Sequence, residues 1–135
     1  MKNNIVVTAS QIAEMLKDEY GAEVAFAPEY DLQEIGNKRR CCVVPVNTEY
    51  RNLSRTSVEL QYRIEIGFLY RDKRLDMTAE VGQADAVIEK FLFKKINNAT
   101  CVKAEHVPLY DPEMLRTRNQ FASVIALTFK EVQNV

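Results

Sequence analysis

From residue 58 to residue 70 every even position is apolar: Val58, Leu60, Tyr62, Ile64, Ile66, Phe68 and Tyr70. The odd positions read Glu59, Gln61, Arg63, Glu65, Gly67 and Leu69, so one face is apolar and the other mostly charged. Successive side chains of a strand point to opposite faces, and a two-residue period belongs to a half-buried strand. At ~3.3 Å per residue the segment spans roughly 40 Å, against a usual strand of about five or six residues. A domain of this length has a radius of gyration of ~14 Å, so the strand is expected to run past its own core. Surplus sheet of that kind meets another chain. The feature points to assembly and away from catalysis.

The rest of the chain supplies the partners of that strand. Thr8-Ala9-Ser10-Gln11 offers a capping-box helix start, with Ser10 as a competing N-cap. Ile12, Met15, Leu16 and Tyr20 then recur at helical spacing until Gly21 closes the segment. A short strand over 23–27 breaks at Pro28, and 29–38 is a polar connection containing Gly36. Residues 39–46 form a β-rich run that ends or bulges at Pro45. The next ten, 47–56, are too long for a tight hairpin turn and hold no glycine, so they are an extended loop or a projecting ribbon.

Beyond the long strand lies a charged corner, Arg71-Asp72-Lys73-Arg74, and then the period changes. From 78 to about 96, Val81, Ala84, Ile88, Phe91, Leu92 and Lys95 share one helical stripe, while Glu80, Asp85, Glu89, Lys90 and Lys94 face away. Asn97-Asn98 stops this helix; a strand follows over 100–107, a turn over 108–112, and a helical turn over 113–118. Phe121, Ile125, Leu127 and Phe129 alternate in a final strand. The expected architecture is one α+β domain over 1–135: two helices packed on a largely antiparallel sheet of four to five strands, one over-long.

Charge is near balance overall, at −1, but unevenly placed. Residues 1–36 carry two basic and seven acidic side chains, whereas 37–74 carry nine basic and four acidic. A nucleic-acid binder is more often basic throughout. An acidic region opposing a basic one fits head-to-tail protein contacts, although ordinary solvated faces also average out in this way. Three cysteines, with Cys41 and Cys42 adjacent and Cys101 alone, match neither a disulfide framework nor a zinc site; they are apolar filler of a reduced protein. The apolar run Ile5-Val6-Val7 is too short for a signal h-region or a membrane span, so no membrane partner is expected.

No pattern of residues resembles an active site. His106 is the sole histidine, beside Glu105 on a short strand, which leaves no His-based metal cluster and favours a structural role. Gly21, Gly36, Gly67 and Gly82 stand singly, so there is no phosphate-cradling loop. No Ser or Cys lies in a nucleophile-elbow pattern. Asp72 and Asp76 suit caps at a helix start. Neither an enzyme nor a bound cofactor or metal is expected.

The basic groups fall at strand ends and in loops: Lys38-Arg39-Arg40, Arg51 with Arg55, Arg71 with Lys73-Arg74, and Arg116 with Arg118. Taken singly, each is explained by loop solubility. Tyr50 beside Arg51, however, makes an aromatic–arginine pair of the type enriched at interface hot spots, and one able to stack on a nucleotide. A loop carrying Tyr50, Leu53, Arg51 and Arg55 is poorly explained by solvation, and these four, with Arg71, Arg74, Arg116 and Arg118, are the candidate protein-contact residues.

The order of elements resembles the tail terminator, or tail completion, proteins of long-tailed bacteriophages and prophages. The likeness lies in Cys42-Val43-Val44-Pro45, in Ser54-Arg55, and in the alternating run Ile64-Glu65-Ile66-Gly67-Phe68. It continues through the helix around Ala84 to Phe91, through Pro108-Leu109-Tyr110, and into the final strand from Phe121 to Phe129. The resemblance covers roughly residues 22 to 132 and rests on order, since no single piece is a signature. It implies a small subunit of a ring, six-fold in the virion, that caps the head-proximal end of the tail tube. Such a ring stops tube polymerisation and presents the surface that joins the head. The implied partners are further copies of the chain, the tail tube protein and a head-completion or connector protein, with DNA only passing through the lumen. The implied location is the virion tail, with the host cytoplasm during assembly. Two alternatives stand beside it: another phage neck or head–tail joining protein, and a small nucleic-acid-binding module using the Tyr50 to Arg55 loop.

Overall fold

A computed structural model describes residues 4–26 and 39–134. The first helix, α1 (Ile5–Tyr20), starts one turn earlier than the capping-box pattern indicated. The Asn4 side chain accepts the Val7 N–H at 3.0 Å and caps it, while Thr8, the expected cap, is buried inside the helix. Ile5 packs against the core, so the short apolar run is the first turn of the helix. The stop is as expected: Gly21 takes the left-handed conformation at φ 63 and donates its N–H to the Lys17 carbonyl at 2.9 Å.

A two-residue strand, β1 (Glu23–Val24), follows; the expected end of this strand at Ala27, the break at Pro28 and the 29–38 connection lie outside the described residues. Strand β2 (Arg40–Asn52) does not end at Pro45. It shifts register between Pro45 and Asn47, a bulge that absorbs the proline, and continues to Asn52. The loop expected over 47–56 is therefore mostly strand, and only 53–56 connect β2 to β3 (Ser57–Arg71). Of the two readings for that segment, the ribbon is the one observed.

Helix α2 (Met77–Phe91) is capped by Asp76, whose side chain accepts the Ala79 N–H at 3.2 Å. It stops five residues short of the expected end. Backbone pairing replaces the helix there: Phe93 donates to the Cys101 carbonyl at 2.8 Å, and Cys101 donates to the Lys94 carbonyl at 2.9 Å. Residues 95–96 become β4 (Lys95–Ile96), turning at Asn97 into β5 (Ala99–His106). The helical turn expected at 113–118 is a complete short helix, α3 (Pro112–Arg118), before β6 (Gln120–Asn134).

The six strands form one curled sheet in the order β1-β2-β3-β6-β5-β4. The architecture is α+β as expected, but the described residues form three helices and six strands, and the sheet is mixed because β1 lies parallel to β2. The long strand is unbroken and central. All of β3 pairs with β6, from Ser57 opposite Asn134 to Arg71 opposite Gln120, while β2 covers its other side from Leu69 to Val58. The even residues of β3 face the helices: Leu60, Tyr62, Ile64 and Ile66 are buried with Ile12 and Leu16 of α1 and Val87 and Phe91 of α2. A smaller contact, Met114 on Leu69 and Ala122, seats α3 at one end of the sheet. The core reaches as far as Leu60, so only the last residues of each long strand outrun it.

Candidate interaction surfaces

The eight candidate contact residues separate into two groups at opposite ends of the ribbon. Tyr50 and Arg51 end β2, and Leu53 and Arg55 lie in the connection to β3, so these four gather at one tip. Tyr50 is 71% exposed and Leu53 49%. Arg71 closes β3 at the other end, Arg74 follows in the turn, and Arg116 and Arg118 lie on α3, which leads into β6 beside Arg71. The Asp72 N–H donates to the Asn119 carbonyl at 3.2 Å and ties this base together. At ~3.3 Å per residue the length of β3 separates tip from base by roughly 45 Å. The eight residues do not form one site.

Electrostatics differ between the ends. At the base, Arg116 is held by Glu113 on its own helix at 2.8 Å. Among the described residues no salt bridge holds Arg51, Arg55, Arg71, Arg74 or Arg118. On the sheet face away from the helices, Lys130 reaches Glu59 at 3.6 Å, and Arg63 reaches Glu65 at 3.1 Å. That face forms an open groove of about 370 Å³ whose lining mixes Glu49 and Glu105 with Arg63, Lys103 and Lys130.

Two buried polar contacts pair groups from distant parts of the chain, and for the first of them no pattern in the sequence points to a pairing. Glu80, expected to face solvent, is 5% exposed and takes both guanidinium nitrogens of Arg39 at 2.6 Å each. The Arg39 guanidinium also lies 3.9 Å above the Tyr70 ring, and its pKa is raised chiefly by the bond to Glu80. Arg39 is thus a packing element and no longer part of a free basic run. Tyr70 donates to Asp72 at 3.0 Å; backbone N–H groups, led by that of Arg74, and this phenol hold the Asp72 carboxyl below its ordinary range. The void among these groups is about 20 Å³, room for about one water.

The second contact sits near the tip. Tyr62, fully buried, donates to Oε2 of the buried Glu131 at 2.7 Å, and Gln133 donates to the same oxygen at 3.1 Å. Here a signal existed, because Glu131 continues the odd-numbered apolar phase of Ile125, Leu127 and Phe129.

His106 has a structural partner: its Nε2 lies 2.9 Å from Asp85 and ties β5 to α2. Cys41, Cys42 and Cys101 are all buried and unbridged, and burial pushes the Cys41 thiol up to about 12. Among the described residues no three His, Cys, Asp or Glu side chains gather as a metal site. A shallow apolar groove of about 590 Å³ runs between Met77 and Val81 of α2 and Tyr110 and Leu115. No helix among the described residues is long and apolar enough to cross a membrane. Comparison of the sequence with protein-family models and with curated proteins finds no match.

Proposed function

We propose that this chain is one subunit of a ring that caps the head-proximal end of a phage tail tube, halts tube growth and offers the head its joining surface. The observation that carries this reading is the separation of two exposed contact groups by one unbroken three-stranded ribbon. A cap has to meet two different partners on opposite faces. Tyr50, Arg51, Leu53 and Arg55 at the tip, and Arg71, Arg74 and Arg118 at the base, supply chemically distinct ends on a rigid spacer.

The ring requires a heterologous contact in which one patch meets a different patch of the next copy. The exposed carboxylates Glu14, Asp18 and Glu19 of α1, set against the basic base residues, supply opposite charges for such a contact. The long strand itself is not what a neighbour pairs with, since β2 and β6 occupy both its sides. What it contributes is stiffness between the two ends.

Labelled protein added to preformed tubes of the tail tube protein encoded alongside it tests the reading. Binding at one end of each tube, visible by electron microscopy, is the expected result. Decoration along the walls, or no binding, overturns it. Capture of a portal-side adaptor without the tube identifies a neck protein of another position.

A further inference from the structure

Strand β2 carries an outer backbone edge that no described residue covers. Strand β1 reaches only Cys42 and Val43, and its last backbone bond, from the Ala25 N–H to the Val43 carbonyl, falls short of the bulge. Beyond the bulge, residues 47–52 pair with β3 on their inner side alone. The phase of that pairing is fixed at the hairpin, where the Leu53 N–H donates to the Ser57 carbonyl at 3.1 Å. In an antiparallel ladder alternate residues turn both backbone groups to the same neighbour. Leu53, Arg51, Glu49 and Asn47 therefore point theirs at β3, and Thr48, Tyr50 and Asn52 point theirs outward.

We infer that this edge pairs with the same edge of a second copy, antiparallel, about a two-fold axis at Tyr50. The sequence is complementary to itself in that register. Tyr50 meets Tyr50, and Thr48 meets Asn52 twice; these are the outward-pointing residues, so each pair exchanges two backbone hydrogen bonds. On the opposite face Glu49 of each copy meets Arg51 of the other, giving two opposite-charge contacts at the closer, non-hydrogen-bonded spacing.

Both side chains are available. Each is exposed, and neither is in a salt bridge with a described residue, because Glu59, which faces Arg51 within the hairpin, is engaged by Lys130. Shifting the register by two residues in either direction breaks this match. Such a strand pair covers less than the ~1,000 Å² that a stable interface needs, so the dimer is weak and dissociates on dilution. The inference stands apart from the cap. It adds that a dimer hides Tyr50 and Arg51, so that pairing and tip contacts compete.

Sedimentation velocity over a range of concentrations tests it with E49R, R51E and an equimolar mixture of the two. Wild-type protein is expected to dimerise reversibly. Each variant alone puts like charges opposite one another at both contacts and weakens association roughly tenfold. In the mixture every charge again meets its opposite, and association returns to the wild-type range. Amide exchange at Thr48, Tyr50 and Asn52, but not at Glu49 and Arg51, should slow as concentration rises. Wild-type protein that stays monomeric at millimolar concentration overturns the inference. So does a dimer that either charge reversal leaves intact, or a mixture no tighter than its components.

Discussion

At the residue scale, two hydrogen-bonded acids hold elements that chain order leaves far apart. Arg39 opens the approach to β2, and its bidentate contact with the buried Glu80 anchors it to α2. Arg39 is itself 42% exposed, so the pair is partly screened and far from a fully buried one. Arg39→Ala leaves the Glu80 carboxylate short of its partner and should cost about 1–3 kcal/mol, read as a lower urea midpoint at unchanged slope.

Tyr62 gives a test in pH. Burial, followed by the bond to Glu131, raises its phenol above the ordinary value of 10.0. The fold therefore prefers the neutral phenol, and this contribution is fully present below pH 10 and lost as pH rises through the raised value. Burial of the Cys41 thiol acts in the same direction from its ordinary 9.0 up to about 12. Urea midpoints should stay level to about pH 9 and then fall. Tyr62→Phe should be less stable at neutral pH by about 1–3 kcal/mol and show a shallower alkaline fall, since its own contribution is gone while those of Cys41, Cys101 and Tyr20 remain.

At the element scale, alternation and helical stripes located most of the framework, and two local events account for the departures. A two-residue period is insensitive to a single inserted residue only if the bulge is recognised, and Pro45 marked it without saying that the strand resumes. The helical stripe overshoots the C-terminus of α2 because Leu92 and Lys95 continue its spacing past Phe91. In the fold, pairing of Phe93 and Lys94 with Cys101 outweighs that propensity. Phe93 pays for this with φ 63 while 76% exposed, a conformation that suits glycine and burdens a bulky side chain. Phe93→Gly should therefore raise stability by about 1 kcal/mol, whereas a loss in thermal or urea denaturation would mean the ring packs against something.

At the scale of the molecule, which residues would be exposed at strand ends was legible from chain order, but their distribution was not. In chain order Tyr50 to Arg55 and Arg71 to Arg118 are one collection of residues in loops and at strand ends; only the full pairing of β3 puts roughly 45 Å between them. The central position of β3 was likewise hidden, since alternation is the same in an edge strand and an inner one whose second face is polar. Tip and base should behave as independent surfaces. Arg51→Ala with Arg55→Ala is expected to weaken binding to the tube or to a neighbouring copy while leaving the far-ultraviolet circular dichroism and the urea midpoint unchanged. Arg71→Ala with Arg74→Ala should spare that binding and weaken the partner on the opposite face.

The length of tail tubes polymerising with and without the protein tests the central claim most directly. Growth that stops on addition, at substoichiometric amounts and with extra density at one end only, is the predicted result. Tubes that lengthen at the same rate and to the same extent, whatever the amount added, would contradict it.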